Sequence, residues 1–382
     1  MDLTRAVSPI QHWALDPSVV HLNHGSFGGC PRSVLETAHA IRARVEAAPM
    51  RFYVLDWQTE LDRARAAVAA FVGADPEHTV CVPGATAGVA LALGAVDLAA
   101  GDEILTTSHV YPACRYQLTR LADARGARVT FVEVSLPFDP DALVERVAAA
   151  ITPRTRLAHL DHITSPTALI YPLERLIPLL SGRGIPVLVD GAHAPGQLDL
   201  DVGALGATWY VGNHHKWLCA PKASGFLVSS TPVPPLVVSH GASPALVPRN
   251  RLHAELDWSG THDPSAELAV PTALVDVATA GGGWPAIRAR NHALVLALSD
   301  QLGGRRIAPD SAIGSMAAMP ITLPAGTGPQ ALEKRLLADG WEVPIVDFPG
   351  QPLIRISAHL YNHLGEADAL ARKLHELGAA LC

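Results

Sequence analysis

Residues 213–217, Asn213-His214-His215-Lys216-Trp217, place a lysine behind two histidines, directly after the short apolar run at residues 208–211. Earlier in the chain a second apolar run, at residues 185–189, ends in Asp190. Short apolar runs bounded by polar and turn-forming residues predict buried β-strands. The sequence therefore predicts two strands, one of which ends in an acid and the other in a lysine.

An acid and a lysine at the ends of two strands are the groups that a pyridoxal phosphate (PLP) site requires. The lysine amine forms a Schiff base with the cofactor aldehyde, and the carboxylate keeps the pyridine nitrogen protonated so that the ring accepts electrons. A surface lysine and a capping aspartate are the alternative interpretation of the same pair. The residues around Lys216 and Asp190 decide between the two.

The composition predicts a compact protein. The chain has 382 residues, which suits one large or two ordinary domains. Of these residues 49% are hydrophobic and only 17% are charged, so we expect a well-buried core rather than disorder. The net charge is −7 and no basic stripe is visible, so we expect no nucleic-acid partner.

Cysteine and histidine usage indicates neither a disulfide framework nor a metal site. The five cysteines are scattered and odd in number, which favours a reducing compartment. His359 and His363 have a spacing compatible with metal binding, but no cysteine pair or His-Glu-x-x-His pattern accompanies them. We therefore expect no metal.

Nothing in the sequence predicts a membrane partner. Residues 1–5 lack the charged-then-apolar pattern of a signal peptide. Prolines, glycines and hydroxyl residues interrupt each uncharged stretch that approaches the length of a membrane span, at residues 79–96, 223–248 and 311–332. We expect a cytoplasmic protein.

Apolar runs and helical patterns alternate along the chain from residue 79 to residue 228. This alternation predicts the α/β class, with a mostly parallel central sheet and helices on both faces. A long helix at residues 287–302 should lead into a smaller α+β C-terminal domain. We therefore expect a large domain at residues 21–283, and a small domain formed by residues 1–20 and 284–382.

Two irregular segments interrupt this pattern. Residues 21–31 are polar and glycine-rich, and residues 231–265 are Pro-rich. Long irregular segments inside compact domains are usually functional or lie at interfaces. We expect the first segment to be either a plain loop or a loop that lies near a ligand, and the second to be functional or to lie at an interface.

Several polar residues follow predicted strands directly. The small-residue turn at residues 83–88 opens a predicted helix at residues 89–98, and such a turn, with Thr86, can bind a phosphate through free N–H groups. Tyr111 and Ser165 come just after two further strands. Ligands of parallel sheets bind at the carboxyl ends of the strands, so these residues should meet Asp190 and Lys216 in one site.

Arg355 stands within the apolar run at residues 352–357, where an unpaired cation is costly. An internal salt bridge is one interpretation. The other is a bidentate site for a substrate carboxylate.

Together these motifs resemble the fold-type I PLP enzymes of the class V aminotransferase group, and within it the isopenicillin N epimerase-like branch. The resemblance covers nearly the whole chain. It rests on residues 22–28, 162–167, 189–196, 212–218, 260–261 and 355–362.

The resemblance implies a role for each site residue. Lys216 would bind the cofactor, Asp190 would pair with the pyridine nitrogen and His193 would approach the phenolic oxygen. Tyr111 would stack on the ring, where many class V enzymes have histidine, and Ser165 stands where desulfurases commonly have asparagine. The phosphate would be bound by Ala85, Thr86 and His215.

The same resemblance implies shared active sites and a substrate pocket. Gly260 and Thr261 would reach the phosphate of a neighbouring subunit, which implies an obligate homodimer. Arg355 would bind the carboxylate of an amino-acid substrate. The substrate side would be lined by Asn23, His24, Gly25 and Ser26.

The reaction itself stays open between two outcomes. Both begin when Lys216 removes the Cα proton of an amino acid. Reprotonation from the opposite face gives epimerisation, which needs a second acid such as Tyr111, His24 or water. Loss of a β-substituent gives carbon–sulfur cleavage instead. Cysteine desulfuration is disfavoured because residues 341–354 contain no cysteine. Transamination is possible but has no separate support. The intact pair of Lys216 and Asp190 argues against a protein that only binds a ligand.

Overall fold

The computed structural model describes residues 2–237 and 250–382. Part of the predicted irregular segment, residues 238–249, therefore lies outside the described residues. The strands, numbered along the chain, are β1 Val20–His21, β2 Thr79–Val82, β3 Glu103–Thr107, β4 Arg128–Val132, β5 Thr155–Asp161, β6 Val187–Asp190, β7 Trp209–Asn213, β8 Gly225–Ser229, β9 Met316–Thr322, β10 Trp341–Glu342, β11 Ile345–Val346, β12 Leu353–Ser357 and β13 Ala380–Leu381.

In the described part of the chain the helices pack around three sheets, of seven, four and two strands. They are α1 His24–Phe27, α2 Arg32–Ala47, α3 Pro49–Arg51, α4 Trp57–Val72, α5 Ala85–Gly94, α6 Pro112–Arg125, α7 Pro140–Ala150, α8 Leu173–Ser181, α9 Val202–Leu205, α10 Arg251–Leu256, α11 Ser265–Leu268, α12 Val270–Gly281, α13 Trp284–Leu302, α14 Pro329–Ala338 and α15 Gly365–Glu376. A π-helical turn at Phe52–Asp56 joins α3 to α4, and short 3₁₀ turns lie at Ile10–His12, Pro76–His78 and Asp310–Ala312.

The central sheet of the described chain has seven strands in the order β2-β8-β7-β6-β5-β3-β4. Strand β8 is antiparallel to both of its neighbours, and the other neighbouring pairs are parallel. Parallel neighbours need long crossover connections, which the helices supply. The predicted α/β class with a mostly parallel sheet is confirmed.

Both faces of this sheet are buried. Leu105 and Val189 pack in the core under one face, while their chain neighbours Ile104 and Leu188 pack under the other. Successive residues of a strand point to opposite faces, so a strand covered on both sides reads as a continuous apolar run. Helices α2, α4, α8 and α12 contribute to the first core, and α5 and α6 to the second.

A smaller antiparallel sheet, ordered β11-β12-β9-β13, packs with helices α13, α14 and α15 around its own core. The N-terminal segment joins this part, because β1 pairs with β10 and Leu22 lies in the same core. Leu22 falls just inside the segment that we assigned to the large domain. The division of the chain into two domains remains a prediction.

The observed helices differ from the predicted ones at three places. Helix α1 lies inside the polar segment 21–31, α10 lies inside residues 231–265, and α11 begins at the last residue of that segment. Helix α5 begins at Ala85 and so includes the small-residue turn. Gly88 in this turn has a packing reason, because a Cβ there would lie 2.7 Å from Cγ1 of Val211 in β7.

All five cysteines are free, in keeping with their scattered positions. Among the described residues we find no helix that combines the length and the apolar surface needed to cross a membrane.

Candidate active site

A cleft of about 580 Å³ opens at the carboxyl ends of the parallel strands. Asp190 at the end of β6 and Lys216, just after β7, both line it. Strands β6 and β7 are parallel neighbours, so their ends reach the same edge of the sheet. The structure therefore brings together the two residues from which the sequence argument starts.

Lys216 is held against a histidine. Its amine Nζ lies 3.0 Å from Nε2 of His193. Burial lowers the pKa of Lys216 to about 8; the charge of Asp190 opposes this change, and that of Arg355 adds to it. Burial, followed by the charge of Lys216, holds the pKa of His193 well below its usual range. The histidine is therefore neutral and accepts a hydrogen bond from the lysine amine.

The Asp190 carboxylate receives two hydrogen bonds from the protein. The backbone N–H of Ala192 donates to Oδ1 at 2.9 Å, and the thiol of Cys114 donates to Oδ2 at 3.2 Å. Asp190 is 4% exposed, so both donors act in a largely water-free setting. Hydrogen bonds to a carboxylate favour its charged form, which is the form that pairs with a protonated ring nitrogen.

The predicted phosphate end lies at the start of α5. The amide of Thr86 has no acceptor within the helix, because the first N–H groups of a helix lack intrahelical partners. His215 lines the same end of the cleft. The Ala85 amide, in contrast, already donates to Oδ1 of Asn213 at 2.8 Å. Ala85 nevertheless lines the cleft, and its contact with the phosphate remains a prediction.

Tyr111 and Ser165 both line the cleft, as predicted from their places after strand ends. Tyr111 precedes the first residue of α6 and is 39% exposed, so its ring is open to a ligand. The Ser165 carbonyl oxygen is already engaged, because it accepts a hydrogen bond from Arg355.

Arg355 is 4% exposed, and its hydrogen-bond partners are neutral oxygens. Besides the Ser165 carbonyl, the guanidinium donates to Oγ of Ser26 at 2.9 Å and to Oδ1 of Asn23 at 3.3 Å. Burial lowers the pKa of Arg355 to about 10, against the opposing charge of Glu333. A buried cation surrounded by neutral oxygens suits an incoming carboxylate better than an internal salt bridge.

The N-terminal residues predicted to line the substrate side separate into two groups. Asn23 and Ser26 contact Arg355, and Ser26 lines the cleft. Gly25 is buried, and a Cβ there would lie 2.3 Å from Sδ of Met316. The role of Gly25 is therefore close packing, and its predicted substrate contact is not supported.

His24 does not reach the cleft. Its Nδ1 lies 2.9 Å from the hydroxyl of Tyr361, and its Nε2 lies 3.1 Å from the carbonyl oxygen of Lys216. His24, Cys219 and His359 bring three metal-type donor atoms within 4.8 Å of one another. The two imidazole rings, however, are stacked 4.0 Å apart at 11°, so their lone pairs lie in two nearly parallel planes instead of converging on an ion. The predicted substrate contact of His24 is not supported.

The segment with Gly260 and Thr261 does not line this cleft. Thr261 is exposed, and a Cβ on Gly260 would meet nothing within 4 Å. These residues are accessible to a second subunit, and their predicted contact with a neighbouring phosphate remains a prediction.

Several residues that line the cleft were not predicted from the sequence, among them Phe27, Gln117, Asp161 and Asn213. Asp161 carried a usable signal, since it ends strand β5 in the same way that Asp190 ends β6. No sequence signal marked Cys114, because a lone cysteine in a helix does not indicate a hydrogen bond to a distant carboxylate.

The residues present fit PLP. Asp190, Lys216 and Thr86 offer a carboxylate, an amine and a free backbone N–H around one cleft of suitable size. Nδ1 of His193 and Nε of Arg355 are buried without hydrogen-bond partners among the described residues. Buried polar groups without a partner are costly, so these two atoms point to a polar ligand.

Comparison with known proteins supports this assignment. Residues 30–237 match the family described as aminotransferase class-V. An isopenicillin N epimerase of Streptomyces clavuligerus is 36% identical over 393 residues, covering 95% of this chain and 96% of its own. A putative L-cysteine desulfhydrase 2 of Oryza sativa subsp. japonica is 33% identical, covering 95% of this chain and 85% of its own.

Solved structures agree with the fold. The cystine C–S lyase C-DES, in complex with its reaction product cysteine persulfide, superposes with a TM-score of 0.81 at 21% identity, covering 94% of this chain and 97% of its own. The cysteine desulfurase CsdA of Escherichia coli gives a TM-score of 0.77 at 21% identity, with 95% and 96% covered. The chain belongs to the class V aminotransferase family and is a PLP-dependent enzyme, related to isopenicillin N epimerases and L-cysteine desulfhydrases.

Proposed function

We propose that this enzyme removes the Cα proton of an amino acid and returns a proton to the opposite face, as an epimerase or racemase of secondary metabolism. The observation that carries the proposal is the Lys216 amine, whose pKa is lowered to about 8 in a cleft that also holds the buried Arg355. The relatives named isopenicillin N epimerase, which match over nearly their full length, support the reaction class.

Three side chains, Arg355, Lys216 and His193, would have separate roles in this reaction. When bound, PLP withdraws electrons from the substrate's amine-bearing carbon, which makes its proton removable. Arg355 would bind the substrate carboxylate through two parallel hydrogen bonds and so fix the orientation of Cα. Lys216 would take the Cα proton, because a general base works best when its pKa lies near the working pH. His193 would hold the lysine amine in place.

Epimerisation needs a second proton donor on the other side of the substrate. Of the two side chains considered for this step, His24 lies outside the cleft and is bonded to the Lys216 carbonyl. Tyr111 lines the cleft and is partly exposed. We therefore assign the second proton to Tyr111, or to a water molecule beside it.

The alternative function is β-elimination with cleavage of a carbon–sulfur bond in a cysteine conjugate. The relatives named L-cysteine desulfhydrase favour it. Lys216 and Arg355 would act as before, and only the fate of the substrate would differ. Cysteine desulfuration by a loop cysteine is disfavoured because residues 341–354 contain none.

One experiment separates the two reactions. The purified enzyme is incubated with candidate amino acids and cysteine conjugates in deuterated water. Epimerisation predicts deuterium in recovered amino acid of inverted configuration, whereas elimination predicts a keto acid and a released thiol. Lys216→Ala is the matched control and should give neither product. If the wild-type enzyme produces neither with any substrate tried, both proposals are refuted.

We further propose a cytoplasmic homodimer with shared active sites. The free state of all five cysteines supports a reducing compartment, and the exposed Thr261 supports a contact across subunits. Sedimentation should give a dimer, and Thr261→Glu should weaken cofactor binding by repelling the partner's phosphate. A monomer that binds PLP as tightly as the dimer would contradict this.

A further inference from the structure

Asp190 has a second carboxyl group beside it. Asp161 ends β5 and Asp190 ends β6, and the two are Cα partners in the parallel register. Residues in register on neighbouring strands point to the same face of the sheet. Both line the cleft, and they are only 2% and 4% exposed. Two buried carboxyl groups placed in this way do not both ionise readily, so the surroundings must determine which one carries the charge.

The hydrogen-bond donors around the two carboxyl groups are unequal. Asp190 accepts from the Ala192 backbone N–H through one oxygen and from the Cys114 thiol through the other. Asp161 accepts from its own backbone N–H and from that of Tyr111, but its Oδ2 is buried and has no partner among the described residues. An oxygen without a donor disfavours the charged form. Burial, together with the charge of Asp190, raises the pKa of Asp161 well above its usual range.

Helix α6 connects the two carboxyl groups. Tyr111 precedes the helix and Cys114 lies in its first turn, so one turn of chain supplies a donor to each acid. Cys114 is fully buried. Burial, followed by the charges of Asp190 and Asp161, raises the pKa of its thiol well above the usual range. The thiol therefore keeps its proton and acts as a donor.

Two further titratable neighbours, His159 and Lys216, do not alter which carboxyl group carries the charge. His159 lies in the same buried group as Cys114 and Asp190, and its Nδ1 is 3.2 Å from Oγ1 of Thr106. Burial lowers the pKa of His159, so it adds no charge. Lys216 is the nearby cation, and its charge interacts with Asp190.

We propose that Cys114 is a positioning residue for the cofactor site: its thiol donates to Asp190 and makes Asp190, rather than Asp161, the charged carboxyl group. The inference rests on the proposed role of Asp190 as partner of the ring nitrogen. Cys114 acts only through Asp190. No bond forms or breaks, and the thiol proton stays on sulfur.

The test compares Cys114→Ala with Cys114→Ser, which differ by one hydroxyl donor. PLP is titrated into cofactor-free protein, and its affinity and absorbance are measured. Because a hydrogen bond to a charged group is lost, Cys114→Ala should bind PLP roughly ten-fold or more weakly, with a band that reports a less protonated ring. Cys114→Ser should restore both. Cys30→Ala, which removes another buried thiol from outside the cleft, should behave as wild type.

A second readout needs no cofactor. Infrared difference spectra of the cofactor-free protein at neutral pH should contain a protonated carboxyl band that Asp161→Asn removes and Asp190→Asn leaves in place. The opposite assignment overturns the proposal. So does a Cys114→Ala protein that binds PLP like wild type, or a Cys114→Ser protein that is as impaired as Cys114→Ala. Failure of wild-type protein to attach PLP through Lys216 would instead refute the proposed function.

Discussion

The amine of Lys216 lies 3.0 Å from Nε2 of His193, so the reactive amine is bonded to a neutral imidazole rather than to a carboxylate. A carboxylate in this place would stabilise the ammonium form and raise its pKa. The imidazole accepts a hydrogen bond without adding charge, and burial then favours the free amine. We therefore expect Lys216 to be reactive near neutral pH.

The first prediction concerns the pH dependence of cofactor attachment. Only the free amine attacks an aldehyde, and Lys216 loses its proton near pH 8 instead of near 10.5. The rate at which PLP attaches to cofactor-free protein should therefore rise between about pH 7 and 9 and then level off. Stopped-flow absorbance measures this rate.

The control for this prediction is Lys216→Ala, which should give no attachment band at any pH. A rate that keeps rising through pH 10 would show that the lysine amine has an ordinary pKa, and that the cleft does not tune it.

The second prediction concerns the substrate carboxylate. Arg355→Ala should raise KM roughly 100-fold and leave the absorbance of the bound cofactor intact, because it removes the charged partner of the carboxylate. Arg355→Lys keeps the charge but loses the planar pair of donors, so it should recover only part of the affinity. Steady-state kinetics on both variants measure the effect. An unchanged KM in Arg355→Ala would rule out this binding role.

The third prediction concerns Asn213, which holds the start of α5 through the Ala85 amide at 2.8 Å. Asn213→Ala should destabilise the protein by about 1–2 kcal/mol, because a buried N–H loses its acceptor. Asn213→Asp keeps an acceptor oxygen and should be more stable than the alanine variant. It should nevertheless bind PLP more weakly, because its negative charge lies close to the phosphate site.

Thermal melts and PLP titrations of the two Asn213 variants separate these effects. If Asn213→Asp bound the cofactor as well as wild type, the phosphate would have to lie away from the start of α5.

The fourth prediction concerns Gly28, which has a φ of +72°. A Cβ at this position would lie 2.0 Å from the carbonyl oxygen of His215, so Gly28 lets the N-terminal segment pack against the lysine segment. Gly28→Ala should cost at least about 2 kcal/mol of stability and impair PLP attachment through displacement of Lys216.

Gly206 is the matched control, since its φ is +71° and a Cβ there meets nothing within 4 Å. Gly206→Ala should cost only the backbone strain, about 1 kcal/mol, and leave PLP attachment unchanged. Equal losses of stability and of attachment in the two variants would show that contact with His215 is unimportant.

The order of apolar runs and helices was enough to predict the sheet and the edge at which its ligand site lies. Lys216, Asp190, Thr86 and Tyr111 were found in this way, because the carboxyl ends of parallel strands meet at one edge whatever the details of packing. The periodicity of a strand and the position of a residue after it are local properties of the chain.

Only the tertiary structure shows which of the site's polar groups already have hydrogen-bond partners and which can contact a ligand. In the folded protein the Ala85 amide donates to Asn213, His24 bonds to the Lys216 carbonyl outside the cleft, and the Cys114 thiol donates to Asp190. Each of these contacts joins segments far apart in the chain, and its distance depends on how whole helices pack on the sheet. A linear pattern carries no such distances, so the sequence by itself determined the residues of the site, and the packed structure determined their partners and charges.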